Sequence, residues 1–132
     1  MPSVVIDTDV ASRLQRRTLP GDVATSLVNT TIVVSFVTVG ELLKWAEARS
    51  WGQRRREDLN RWLGPVPVLH GNRAVAAAWA RLSAAAQRRG RPRPVNDTWI
   101  AACSLAYGLP LVTLNRRDFE DFARHGGLRL LP

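Results

Sequence analysis

The sequence predicts an α/β fold, a three-layer α/β/α sandwich built on a short central parallel sheet. Two short β-branched runs, Ser3–Ile6 (SVVI) and Thr31–Ser35 (TIVVS), are apolar almost throughout, as strands buried on both faces are. Stretches with helical spacing of apolar residues follow each run, and that alternation builds parallel sheets. Acidic residues stand just past strand ends or in the opening of helices: Asp7, Glu41, Asp97 and Asp118. Open parallel sheets bind ligands outside the carboxyl ends of their strands, so one rim is expected to collect all four.

The elements follow in order. After the strand Ser3–Ile6, a helix is expected from Thr8 to about Arg17, with Thr8 or Asp9 able to cap it. Leu19-Pro20-Gly21-Asp22 is turn chemistry, and Asp22 can cap a short helix to Val28. The strand Thr31–Ser35 leads to a helix from Thr38 to about Ser50, with Val39, Leu42, Leu43 and Ala46 at helical spacing. Another helix spans Arg54 to Leu63. Gly64 to Leu69 is a short edge strand, because Pro65 and Pro67 cannot donate to a ladder. A long Ala-rich helix runs from Asn72 to about Arg89, followed by a basic loop to Pro94. Asn96 to Tyr107 is a buried helix closed by Gly108. Leu111–Thr113 is a strand, and Leu128–Leu131 is a candidate for the last one. No internal repeat or boundary divides the chain, so residues 1–132 are expected to form one domain.

Bulk composition narrows the class. Hydrophobic content of 45% and charged content of 23% are those of a soluble globular protein. The net charge of +8, carried by arginines and Lys44, suits a polyanionic partner. The lone Cys103 lies in an Ala-rich run and reads as a small core residue, which points to a reducing, cytoplasmic setting. No secretory signal and no membrane-length apolar run is visible, so no membrane partner is expected.

Each acid has a functional and a local explanation. Asp7 directly follows a buried strand, where a rigidly held carboxylate can offer oxygens to a hard cation. Glu41 is contested, since Thr38-Val39-Gly40-Glu41 fits a capping box. Asn96 can cap the helix that Asp97 opens, leaving the Asp97 carboxylate free. Asn115 and Asp118 share the fourth position, with a turn as the local alternative. Carboxylates repel one another, so a fold gathers several mainly where a cation offsets the repulsion. An all-oxygen set suits Mg²⁺ or Mn²⁺ rather than zinc, and His70 and His125 lie near no motif. Cys–His or Ser–His–Asp sets for covalent catalysis are not visible.

VVIDTDV, Glu41 in SFVTVGEL, NDTWIAA and VTLNRRDF together resemble the PIN domain, and within it the VapC-type ribonuclease toxins of prokaryotic toxin–antitoxin pairs. The resemblance covers nearly the whole chain. One departure is Asn115, where many family members carry an acid. The resemblance implies a PIN-like sandwich that hydrolyses RNA phosphodiesters with Mg²⁺ or Mn²⁺. Asp7 and Asp97 would be primary ligands, Glu41 a ligand or water-orienting group, and Asp118 a further ligand. Thr8, Thr113 and Asn115 would support them or contact substrate. Arg91, Arg93, Arg116 and Arg117 would grip the RNA backbone. It also implies a homodimer and a small antitoxin partner covering the site. Trp45, Trp51 and Trp62 cluster between Thr38 and Leu63 and are candidates to line a groove for such a partner. A housekeeping PIN nuclease of RNA maturation and a non-catalytic basic nucleic-acid-binding module are the competing readings. A haloacid-dehalogenase-type phosphatase, suggested by DTDV, is excluded because Lys44 is the only lysine and lies too far upstream.

Overall fold

A computed structural model describes residues 1–132. The four strands β1 (Ser3–Ile6), β2 (Thr31–Ser35), β3 (Val68–Leu69) and β4 (Leu111–Val112) form one parallel sheet in the order β3-β2-β1-β4. Seven helices accompany them: α1 (Thr8–Gln15), α2 (Gly21–Ser26), α3 (Phe36–Ala48), α4 (Gln53–Leu63), α5 (Arg73–Arg88), α6 (Val95–Ala106) and α7 (Arg116–Gly126).

Alternation along the strands creates two cores. Val4, Ile6, Val34 and Val112 point to one face and pack with Val10, Ala11, Leu42 and Leu59 from α1, α3 and α4. Val5, Val33 and Leu111 point to the other face and pack with α5, α6 and α7 through Val75, Leu82, Ile100, Phe119 and Phe122. Cys103 is free and fully buried in this second core. Such side chains each contribute roughly 1.5–3 kcal/mol by leaving water. This is the predicted three-layer sandwich. β1 is flanked by β2 on one side and β4 on the other, so connections diverge at its carboxyl end. That divergence is the point at which a doubly wound sheet opens a crevice.

Several local expectations are corrected. Asp7 itself caps α1, its Oδ1 accepting from the Val10 amide at 3.0 Å; neither Thr8 nor Asp9 does so. Asp22 caps nothing, since α2 starts at Gly21 without a side-chain cap. Strand β2 runs directly into α3, whose cap is Ser35, with its hydroxyl accepting from the Thr38 amide at 3.2 Å. The helix therefore starts before Thr38, and the capping box proposed for Glu41 does not form. Asn96 does not cap α6, which begins at Val95 after Pro94. The edge strand shrinks to Val68–Leu69, and the strand near Leu111 ends at Val112. Leu128–Leu131 contributes only an isolated bridge, Leu130 to Leu111. Helix α7 is not among the expected elements: its opening Asn-Arg-Arg-Asp passes for a turn, although Phe119 and Phe122 anchor a helix closed by Gly127 at φ +84°.

Candidate functional site

The crevice collects every predicted acid. Asp7, Thr8, Asp9, Glu41, Asp97, Asn115 and Asp118 line one cavity of about 90 Å³ at the carboxyl ends of β1 and β4. Trp45, Ile100 and Phe119 complete its walls.

Asp7 is 4% exposed and its two oxygens are held separately. Oδ1 takes the Val10 amide, and Oδ2 accepts from the Thr113 hydroxyl, which in turn accepts from the Asn115 amide at 2.9 Å. The cap and the cavity wall are thus the same carboxylate, and Thr113 fixes it from behind. Burial pushes Asp7 up to about 6, helped by the charges of Asp9 and Asp97 and opposed by its two hydrogen bonds.

Glu41 lies in the second turn of α3 and is half-buried. Its Oε1 accepts from the Thr8 hydroxyl at 2.6 Å, and its Oε2 from the Asn96 amide at 3.4 Å. Because Thr8's one proton goes to Glu41, the Thr8–Thr38 contact of 3.0 Å must have Thr38 donating. Ser35 then donates to Thr38 at 3.4 Å. Three buried hydroxyls thus form a directed chain ending on the Glu41 carboxylate, and donors aligned this way reinforce one another.

Asp97 sits in the first turn of α6, where the positive end of the helix faces the cavity. Burial first, then the neighbouring charges of Asp118, Glu41 and Asp9, together raise it to about 6 against the opposing charge of Arg93. Asp118 occupies the first turn of α7. Asp9 is exposed yet forms part of the wall, and its Oδ2 accepts from the Asn115 side-chain amide at 2.6 Å. Its spacing two residues after Asp7 was the signal available for it.

The four arginines expected to contact substrate lie outside the cavity wall. Arg93 acts on Asp97 through its charge. Arg91 leans towards Asp121 at 4.0 Å, Arg116 donates to the Leu131 carbonyl at 2.9 Å, and Arg117 is exposed. His70 and His125 are exposed and also lie outside it. Of the tryptophans, Trp45, Trp51 and Trp62 rim one core, while Trp79 and Trp99 stack at 4.9 Å beside the other. All five are half-buried, so none is a fully enclosed core residue.

The donors suit a hard cation chemically. They are all oxygens, and two carboxyls are held above their ordinary range by burial and by the charge of neighbouring carboxylates, a cost a divalent cation would relieve. As placed, no three of them close into a ready ligand set around one point. No helix is long and apolar enough to cross a membrane.

Residues 4–125 match the PIN domain family. The chain is 34% identical to the tRNA(fMet)-specific endonuclease VapC of Shigella flexneri over 73% of this chain and 70% of that protein. Its fold superposes on VapBC-1 from nontypeable Haemophilus influenzae with a TM-score of 0.81 and 25% identity, covering 98% of this chain and 96% of the other. VapBC2 from Rickettsia felis, solved bound to a DNA fragment from its promoter, gives a TM-score of 0.82 at 20% identity, covering 98% and 97%.

Proposed function

Because the chain belongs to the PIN domain family, we propose that it is a metal-dependent endoribonuclease and the toxin of a VapC-type toxin–antitoxin pair. The observation that carries this reading is the cavity where acids from four separate segments meet, with Asp7 and Asp97 both raised to about 6. The names borne by its relatives, an RNA endonuclease and VapBC complexes, support the same reading.

Mg²⁺, with Mn²⁺ as substitute, is the cofactor that the donor chemistry favours. Asp7 and Asp97 would hold it, with Glu41 and Asp118 completing the acidic set and Asn115 taking part through its amide. When bound, the cation supplies an activated water and neutralises charge on the phosphate. The chain's own contribution is positioning. Thr113 and the Val10 amide fix Asp7, so its oxygens cannot swing away from the wall. The Ser35–Thr38–Thr8 chain orients Glu41 as a ligand or as the acceptor that aligns the water. Arg93 offsets the charge of Asp97, and Arg91, Arg116 and Arg117 add positive potential around the site for RNA. Trp45 walls the cavity on one side and restricts solvent there.

The proposed partners are RNA, a small antitoxin that covers the cavity, and a second copy in a homodimer. The protein would act in the cytoplasm as one domain over residues 1–132. The test is induced expression of wild type and Asp7→Asn in a bacterial host, with mapping of new RNA 5′ ends. Growth arrest with discrete new ends for wild type alone is expected, relieved by the product of a small upstream reading frame. Wild-type expression that produces no new ends overturns the ribonuclease reading.

A further inference from the structure

A second depression of about 280 Å³ opens beside the acid cavity and shares Asp9, Trp45 and Asn115 with it. Its remaining walls carry Arg13 of α1, Arg16 at its C-cap, and Arg49 at the end of α3. All three arginines are exposed, and none lies within ion-pairing distance of a carboxylate. Arg13 and Arg16 are three residues apart and so lie on one helix face. Arg16 donates through Nε to the Ser12 carbonyl at 3.3 Å, which leaves its terminal nitrogens free. Arg49 lies over the Trp45 ring with its guanidinium carbon 4.8 Å from the centroid, so this cation is held at the groove rather than waving in solvent.

We propose that the groove of Arg13, Arg16 and Arg49 is the track for the RNA strand adjoining the scissile phosphate. The proposal rests on the ribonuclease reading and adds the direction in which substrate leaves the acid site, towards α1 and α3 rather than along the α6 and α7 loops. Three arginines without acid partners, one of them held over Trp45, continuous with a carboxylate site that needs a cation to accept phosphate, suit a single strand. Proteins that bind single strands track the phosphate backbone with such basic grooves.

The experiment measures binding of a fluorescent single-stranded RNA oligonucleotide in chelator, which separates binding from cleavage. It compares wild type, the triple variant Arg13→Ala/Arg16→Ala/Arg49→Ala, and an equal-charge control on the opposite layer, Arg73→Ala/Arg81→Ala/Arg88→Ala. For single strands each phosphate contact contributes about 0.7 to the slope of log affinity against log salt. The groove variant is expected to lose about 2 from that slope and the control much less. All three proteins are checked for equal melting temperature. Equal slope losses in the two variants, with wild type still cleaving RNA in Mg²⁺, overturn the groove assignment and leave the ribonuclease reading intact. Wild type that neither binds nor cleaves RNA overturns both. An unchanged RNA slope together with selective loss of binding to a poly-glutamate peptide gives the groove to an acidic protein segment and overturns the proposal.

Discussion

Replacing Asp7 by Asn should make the metal-free protein more stable while abolishing cleavage. A carboxyl whose folded pKa exceeds its unfolded value holds more protons folded than unfolded. Stability therefore falls as pH rises from the ordinary value of 3.8 to about 6 and is flat above that range. At about 1.36 kcal/mol per pH unit, this shift corresponds to ~3 kcal/mol of cost carried by the ionised, 4% exposed side chain. Asparagine keeps the cap, because its Oδ1 can still accept the Val10 amide. The Thr113 hydroxyl loses its charged acceptor, which costs about 1 kcal/mol. The net expectation is ~2 kcal/mol of stabilisation above about pH 7, or ~8 °C at roughly 4 °C per kcal/mol for a chain of this size. Thermal melts in chelator across the pH range would show the gap narrowing as pH falls below about 6. Adding Mg²⁺ should raise the wild-type midpoint and leave the variant's in place, since a ligand stabilises the state that binds it. A variant less stable than wild type in chelator at neutral pH, or a gap that does not change with pH, would refute the claim that burial and crowding load this carboxylate.

Other substitutions probe the supporting contacts. Thr8→Val removes the 2.6 Å donor to Glu41 and breaks the hydroxyl chain; cleavage should fall about tenfold, the equivalent of a ~1.4 kcal/mol loss in the transition state, with the melting temperature changed by only a few degrees. Ser35→Ala deletes the cap of α3 and should lower stability by about 1 kcal/mol in denaturant titration, with a smaller effect on cleavage than Thr8→Val. Asn115→Asp puts a carboxylate where an amide now donates to Asp9 at 2.6 Å. It should lower the midpoint in chelator and raise Mg²⁺ affinity several-fold in calorimetry, both through added like charge.

The sandwich was legible because its signals are local. SVVI and TIVVS are short and rich in β-branched residues, which favours buried strands, and each hands the chain to a helix. The convergence of Asp7, Glu41, Asp97 and Asp118 was legible for the same reason, since strand ends in a parallel sheet share a rim. Junctions were less legible. Ser35 ends β2 and caps α3 in one residue, so no loop marks the start of the helix, and the TVGE tetrad mimicked a capping box one turn too late. Pro65 and Pro67 shortened β3 beyond what its β-branched residues suggested. The Asn115–Asp9 pair spans 106 positions, and no local pattern records such a contact. The arginine assignments favoured sequence neighbours of the acids. The fold instead places Arg13, Arg16 and Arg49 in a groove joined to the cavity, because α1 and α3 pack side by side next to it.

The central claim is that these carboxylates hold a cation which cleaves RNA, and purified protein incubated with total RNA tests it most directly. Wild type with Mg²⁺ should generate discrete new 5′ ends that vanish in chelator and in Asp97→Asn, while Asp97→Asn still binds RNA. Cleavage that survives chelation, or that persists in Asp97→Asn, would contradict the account.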